Sequence, residues 1–392
     1  MSRPRLVHVT TTDMSLALLL GPQLRAFAEA GFEVIGASAP GPYVTQLERL
    51  GVRHVALRHT TRAMAPQRDV GALLELRRLF AELRPHVVHT HNPKPGVYGR
   101  LAARAARVPA IVNTVHGLYA LPGDPFPKRA VVYGLEMVAG RCSDAELVQN
   151  SEDLGTLERL GLGAKLRLLG NGVDLVRFDP RRVAVGEGFR IRAEIGAASD
   201  DLVCGLVGRL VWEKGYREVF AAATMLAERV PQLRVVVAGP EDPDKADALD
   251  PTALRRARAQ PNVTILGERT DVESFYRAMD VYVLASHREG FPRSAMEAAA
   301  MGLPIVGTDI RGCRQVVEHG VTGLLVPPRD AAALADAIES LARDSDQRTR
   351  MGEAARGKAR REFDQDRVIG ITLETYDRLL RRARRPRLGA RS

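Results

Sequence analysis

Short apolar runs rich in strand-forming residues recur along this chain, each followed by a segment with helical spacing, and the plan is laid out twice. In the first half, Leu6–Val9, Val34–Ala37, Val55–Leu57, Val87–His89, Ala110–Thr114 and Ala145–Gln149 read as strands, with a further run at Leu166–Leu169. Helical spacing fills the gaps, for example from Leu18 to Ala30 and from Ala72 to Leu83. In the second half, strand-like runs stand at Leu202–Val207, Arg234–Ala238, Val263–Leu266, Val281–Leu284, Pro304–Gly307 and Gly323–Val326, with helices including Ala331 to Ala342. Strands separated by helices pair in parallel through crossover connections, so the expected fold class is α/β with doubly wound sheets. A single core stops growing at about 250–300 residues, so 392 residues point to two such units.

Bulk properties narrow the classes. A hydrophobic content of 45% with 27% charged residues is that of a soluble globular chain. Three scattered cysteines, Cys142, Cys204 and Cys313, match no zinc or redox spacing, and reduced thiols in a cytoplasmic protein are expected. No signal peptide is read before the first strand, and no apolar run approaches the roughly 18 residues of a membrane span. The net charge of +10 could serve nucleic acid, but aromatics make up only 5% and are not interleaved with the basic residues. No nucleic-acid partner is therefore expected. An Arg-rich composition from a high-GC genome, or attraction to an anionic membrane surface, accounts for the charge instead. The densest cluster is Arg381-Arg-Ala-Arg-Arg-Pro-Arg387.

Two segments carry the chemistry. In Val281–Glu297 a strand-like run leads into Glu289-Gly290-Phe291-Pro292, and Ser294 to Met301 reads as a helix with Pro292 at its first position. The helix start, with Arg293 and Ser294, offers unpaired N–H groups to a phosphate, and Glu289 and Glu297 offer acceptors to hydroxyls. Gly290 allows close backbone approach to a ligand. In Val203–Tyr216, Arg209 and Lys214 follow a strand end, where open α/β sheets bind ligands. Arg grips phosphate with two parallel hydrogen bonds and Lys supplies a mobile point charge. Two cations and two carboxylates at two strand ends describe a nucleotide-sugar site, against the bland alternative of surface ion pairs and a helix cap.

Gly208-Arg209-Leu210, Glu213-Lys214-Gly215, Glu289 with Glu297, Gly323-Leu-Leu-Val-Pro-Pro-Arg-Asp330 and Gly170-Asn-Gly-Val-Asp174 resemble the retaining family-4 glycosyltransferases of the GT-B fold. The resemblance covers nearly the whole chain. Arg62-x5-Arg68-Asp69, His89-Thr-His-Asn-Pro-Lys-Pro-Gly96, Gly99-Arg100-Leu101-Ala102-Ala103 and Asn113-Thr-Val-His-Gly117 are closer to the subgroup that builds capsule, O-antigen and glycan-carrier oligosaccharides. It implies two Rossmann-like domains facing across a cleft that holds the donor. Residues 1–175 would be the acceptor side and 176–364 the nucleotide-sugar side. The helix from about Gln365 to Arg382, with the basic tail to 392, would return to the first domain.

The same resemblance implies the roles. Arg209 and Lys214 neutralise the leaving diphosphate, Glu297 holds the ribose, and Glu289 contacts the transferred sugar with Gly290, Phe291 and Pro292 beside it. Arg269 belongs to the base pocket, and His116 lies beside the donor sugar. Arg209, Lys214, Glu289 and His116 are thus the catalytic set. Thr12 and Ser15, in a first turn that lacks the family's glycine-rich loop, with Arg62, His91 and Lys94, face the acceptor; Lys94 reads equally as a solvated loop residue. His89 and His91 read as acceptor-cleft or packing residues rather than metal ligands, with no Cys or carboxylate near in sequence. Asp242-x-Asp244 has a metal-binding spacing but lies in a polar loop, so neither metal nor cofactor is expected, the nucleotide sugar being a co-substrate.

The resulting expectation is a metal-independent, retaining transferase. It would take a UDP-linked hexose or N-acetylhexosamine to a glycan, lipid-linked or small-molecule hydroxyl, in the cytoplasm or peripherally at the inner membrane face. The alternative with the same fold is a nucleotide-sugar 2-epimerase. A dinucleotide oxidoreductase is disfavoured, because Gly-x-Gly-x-x-Gly is absent from the Leu6–Ser15 and Val203–Trp212 turns.

Overall fold

A computed structural model describes residues 3–61, 65–91, 93–243 and 245–384. The chain divides into two compact units, Met1–Gly170 with Asp366–Ser392, and Asn171–Gln365. The divisions thus fall after Gly170 and Gln365, against the 175 and 364 read from the sequence.

In the first unit seven parallel strands are ordered β3-β2-β1-β4-β5-β6-β7. They are β1 (Arg5–Thr12), β2 (Glu33–Ala39), β3 (Arg53–Ala56), β4 (Val87–His91), β5 (Ala110–Val115), β6 (Ala145–Val148) and β7 (Leu166–Leu168). Successive side chains point to opposite faces. Leu6, Val34, Val87 and Ala110 therefore enter one core, and Val7, Ile35, Val88 and Ile111 the other. Helices cover both faces, which is why these strands read as continuous apolar runs rather than alternating ones. The helix Gln365–Arg384 belongs to this unit and adds Val368, Ile369, Tyr376 and Leu379 to the first core.

The second unit has six parallel strands in the order β10-β9-β8-β11-β12-β13. They are β8 (Leu202–Val207), β9 (Leu233–Ala238), β10 (Val263–Gly267), β11 (Val281–Leu284), β12 (Ile305–Thr308) and β13 (Gly323–Val326). Cys204, Leu206, Val235 and Val281 pack on one face, and Val203, Val236, Tyr282 and Ile305 on the other. In each sheet the direction of winding reverses once, between β1 and β4 and between β8 and β11. Such a reversal opens a crevice at the carboxyl ends of the two strands, which is where doubly wound sheets take ligands.

Several local expectations change. The helix expected from Leu18 to Ala30 is a wide turn at Ser15–Leu19 followed by a helix at Gly21–Glu29. Pro22 explains the break: it lacks the N–H that would continue the earlier turn and suits the first turn of a new helix. The strand expected at Val55–Leu57 lies at Arg53–Ala56, and the helix before Leu83 begins at Pro66. Pro292 precedes the helix Arg293–Ala300 instead of opening it, with extended backbone (φ −71°, ψ 114°). Among the described residues no helix is long and apolar enough to cross a membrane.

Candidate active site

In the second unit the polar groups gather at the ends of β8 and β11. After β8 the chain turns through Gly208-Arg209, and the Tyr216 hydroxyl holds the turn by donating to the Gly208 carbonyl at 2.9 Å. A short helical turn at Trp212–Lys214 ends at Gly215, whose φ is 77°. A Cβ there would stand 2.0 Å from the Ala285 carbonyl oxygen, so only glycine lets this loop close on the end of β11. The closure brings Lys214 Nζ to 2.5 Å from Glu289 Oε1. Ser286 Oγ donates to the same oxygen at 2.8 Å, and neither bond uses Glu289 Oε2. Gly312 completes the cradle, since a Cβ there would lie 2.5 Å from Glu289 Cβ.

Arg209 also has a carboxylate partner: its Nη1 lies 2.6 Å from Asp242 Oδ2. The loop beyond β9 is laced to the Arg209–Lys214 loop by Leu210 N to Pro240 O and Trp212 N to Asp247 O. Asp242 therefore anchors an arginine, in place of the metal-ligand spacing weighed from the sequence; its companion Asp244 lies outside the described residues.

Glu297 sits on the first turns of the helix Arg293–Ala300 and is buried. Oε1 accepts from Arg293 Nε at 3.0 Å and Oε2 from the Tyr276 hydroxyl at 3.0 Å. Burial pushes its pKa up, with the Arg293 charge and these hydrogen bonds opposing. Tyr276 also reaches the Ser294 carbonyl at 3.1 Å, which ties the helix start to the core. Phe291 packs edge-on against Phe363, ring centroids 5.8 Å apart, and its carbonyl accepts from Asn171 Nδ2 at 3.2 Å. Gly290 and Pro292 stand on either side of Phe291 in this loop. Arg269, expected at the base pocket, makes ion pairs: Nε and Nη2 on Asp271, Nη1 on Glu194.

The first unit places its histidines together. His8 on β1 and His89 on β4 are register partners, and His91 follows on the same strand. Among the described residues, His8, His89 and His91 are a group whose ligand atoms lie within 4.8 Å of one another. All three rings are buried with centroids 4.6 to 5.3 Å apart, His91 stacked on both His8 and His89, and His8 tilted against His89. His116, just after β5, joins them with Nε2 2.9 Å from His91 Nδ1 and Nδ1 3.2 Å from Gln149 Oε1. Burial lowers the pKa of His8 to about 3 and of His116 to about 4, and those of His89 and His91 well below the usual value. Both nitrogens of His116 are thus engaged within the unit.

At the β1 end, Thr12 Oγ1 and Ser15 Oγ hydrogen-bond each other at 3.1 Å. Lys94 opens the helix Lys94–Ala105 and is no solvated loop residue: its Nζ lies 2.5 Å from Asp69 Oδ1 with the side chain 12% exposed. Arg62, Asn92 and Arg385 to Arg387 lie outside the described residues.

A family model described as "Glycosyltransferase Family 4" matches residues 23–177, and one described as "Glycosyl transferases group 1" matches residues 189–358. The chain is 30% identical over 276 residues, covering 69% of it and 70% of the relative, to an Escherichia coli UDP-Gal:α-D-GlcNAc-diphosphoundecaprenol α-1,3-galactosyltransferase. The chain belongs to glycosyltransferase family 4. It is also 27% identical over 382 residues, 96% of this chain and 97% of the relative, to the capsular polysaccharide biosynthesis glycosyltransferase CapM of Staphylococcus aureus. Its fold is similar to that of Anabaena Alr3699/HepE, solved in complex with UDP and glucose, with a TM-score of 0.80 at 20% identity over 96% of this chain and 100% of that one. The fold is the two-domain α/β GT-B fold.

For this glycosyltransferase, sequence reading overlooked Asp242 as the partner of Arg209, Ser286 beside Glu289, and His8, Gln149 and Tyr376 around His116. One signal was available: a histidine in the middle of the apolar run Leu6–Val9 is out of place unless its ring is hydrogen-bonded.

Proposed function

We propose that this family-4 glycosyltransferase moves a sugar from a UDP-sugar to a hydroxyl of a lipid-linked or glycan acceptor, in polysaccharide or glycolipid biosynthesis. The carrying observation is that Arg209 and Lys214 both follow β8 at the β8/β11 reversal, Arg209 paired with Asp242 at 2.6 Å and Lys214 with Glu289, beyond β11, at 2.5 Å. A diphosphate takes over these cations from Asp242 and Glu289, gaining preorganised positive charge where the leaving group's charge develops. Released from Lys214, Glu289 accepts from the hydroxyls of the transferred sugar, and Glu297 accepts from the ribose. His116 serves the transferred sugar, and Thr12, Ser15, His91 and Lys94 the acceptor.

The relatives support the donor and acceptor classes: the Escherichia coli enzyme is named for UDP-Gal and a diphosphoundecaprenol acceptor, and the Anabaena structure holds UDP. The Escherichia coli and Staphylococcus aureus relatives are both named as transferases, which weighs against the epimerase. In the transfer, the C1–O bond to the diphosphate breaks and a C1–O bond to the acceptor forms on the same face. The hydroxyl proton goes to the departing diphosphate oxygen, so configuration is retained. Arg209 and Lys214 supply the electrostatic work that a divalent ion would otherwise do.

The test is a screen of UDP-sugars by thermal shift, in which a donor at 100 times its dissociation constant adds about 2.7 kcal/mol. Transfer to a diphosphate-lipid acceptor follows, with and without EDTA, and the product anomer is read by proton NMR. An inverted product, or activity lost in EDTA and restored by a divalent ion, refutes the mechanism.

Membrane attachment belongs to the same reading. Phe126, Val131, Leu135 and Val138 are exposed along the helix Phe126–Cys142, and the C-terminal helix ends in Arg381, Arg382 and Arg384. Basic residues near an anionic surface contribute about 1 kcal/mol each. The protein should sediment with anionic vesicles at low salt and be released at high salt. Equal binding to neutral vesicles, or none, refutes the attachment.

A further inference from the structure

Four histidines of the first unit, His8, His89, His91 and His116, are joined in one hydrogen-bonded chain that engages all eight of their ring nitrogens. Thr114 Oγ1 lies 2.7 Å from His89 Nε2, and His89 Nδ1 meets the Tyr376 hydroxyl. That hydroxyl is 3.3 Å from His8 Nε2, and His8 Nδ1 is 3.0 Å from His91 Nε2. His91 Nδ1 is 2.9 Å from His116 Nε2, and His116 Nδ1 is 3.2 Å from Gln149 Oε1. Three histidines this close invite a metal, but a metal on His8, His89 and His91 would have to displace bonds that already satisfy every nitrogen.

Neutral rings have one N–H and one bare nitrogen each, so every junction needs a donor on one side and an acceptor on the other. Burial keeps these rings neutral. Gln149 Oε1 has no proton, so His116 Nδ1 must donate to it. His116 Nε2 is then bare and accepts from His91 Nδ1–H; His91 Nε2 accepts from His8 Nδ1–H; His8 Nε2 accepts from the Tyr376 hydroxyl. Tyr376 in turn accepts from His89 Nδ1–H, and His89 Nε2 accepts from Thr114. Every link follows from the one before, and all four rings carry the proton on Nδ1.

We propose that this chain is a relay in which Gln149 fixes the tautomer of His116 and, through it, those of His91, His8 and His89, with Gln149, His8, His89, His91 and Tyr376 as positioning residues. Reversing a single ring sets N–H against N–H, or two bare nitrogens face to face, so neighbours reverse together. The chain rests on the hydrogen-bond geometry and on the neutrality of the buried rings. Its consequence for sugar transfer rests on the role proposed for His116.

The test is two-bond proton–nitrogen NMR of the full chain labelled at histidine nitrogens. In the wild type all four buried rings show protonated Nδ1 and bare Nε2. Gln149→Leu removes the acceptor, and an orphaned buried N–H costs more than an orphaned lone pair. The whole chain should therefore reverse to the Nε2–H form, His89 at its far end included. Tyr376→Phe, which removes one oxygen from the core, should reverse His89 alone, because Thr114 can accept in place of donating. Mixed or all-Nε2–H tautomers in the wild type, or a His89 that ignores Gln149→Leu, overturn the relay. Turnover is measured separately. A reversed chain with unchanged kcat refutes the role of His116 in transfer and leaves the relay standing.

Discussion

Lowering the pH from 7.5 to 5.5 should destabilise the first unit selectively, by an amount the buried histidines set. His8, His89 and His91 are at most 4% exposed, and their folded pKa values lie far below the usual 6.5. In the unfolded chain each titrates near 6.5, so below that pH the unfolded state binds protons that the folded state refuses. Stability is therefore fully present above 6.5 and lost as pH falls toward the folded values. At pH 5.5 each unfolded histidine gains about 1.4 kcal/mol from protonation, about 4 kcal/mol for the three, against about 0.2 kcal/mol at pH 7.5. Domains are stable by only about 5–15 kcal/mol, so the loss is a large fraction of the whole. Hydrogen exchange, corrected for intrinsic rates, measures it locally, with β1, β4 and β5 as the reporters. The strands β8 and β11 are the control within the same molecule, since no histidine among the described residues of the second unit is buried. Equal protection of β1 and β4 at both pH values would show that the rings take up protons while folded, and the account of the cluster would fail.

Glu289→Ala should cut turnover by about 10²–10³ yet leave affinity for free UDP equal or higher by up to about tenfold, because it frees Lys214 from a 2.5 Å ion pair. A tenfold loss of UDP affinity by calorimetry contradicts the division of roles. Glu297 has a raised folded pKa, so the stability it contributes is present below its usual 4.5 and lost as pH rises through the folded value. The melting temperature of Glu297→Gln relative to wild type should therefore climb between pH 4 and 8; a constant difference refutes it. The same variant should lose affinity for UDP, since the ribose is shared by donor and free nucleotide. Arg100 is fully buried, with Glu136 and Glu146 each at 2.6 Å. Removing it as Arg100→Ala strands two carboxylates and should cost about 3–5 kcal/mol in urea unfolding, and a loss under 1 kcal/mol would refute that pairing.

The strands that sequence reading placed best are those with the simplest environment. Central strands β8 and β11 have the bounds read for them, because a parallel strand covered on both faces is a continuous apolar run cut off by polar residues or glycine, and edge strand β13 has them because Gly323 and Pro327 bracket it. Edge strand β3 was shifted, as one would expect where few neighbours dictate the pattern and its outer residues are exposed. The chemistry-bearing loops were legible as residue types at strand ends, since the reversal of winding makes strand ends the place for ligands. Their pairings were not legible. Lys214 and Glu289 are 75 residues apart, His89 and Tyr376 are 287 apart, and no local spacing encodes contacts at that range.

The pairings that sequence reading missed share one physical cause. Asp242, Arg269 and Lys94 were judged by residue type and loop position, which for a charged group means solvent or ligand. The fold gives each an opposite charge at 2.5 to 2.7 Å, so their first task is to hold loops in place. A binding site made of such pairs is closed electrostatically before its ligand arrives. It opens only to a group that satisfies both members at once, and a diphosphate carrying a sugar does so: its anionic oxygens answer Arg209 and Lys214, and its hydroxyls answer Glu289. A plain anion answers only the cations and leaves a carboxylate without its partner. On this argument inorganic diphosphate should bind the second unit more weakly than its charge suggests, and the Glu289→Ala variant should remove that penalty. If the wild type binds inorganic diphosphate as tightly as the variant does, Lys214 is already available to phosphate and the paired resting state has no bearing on selection.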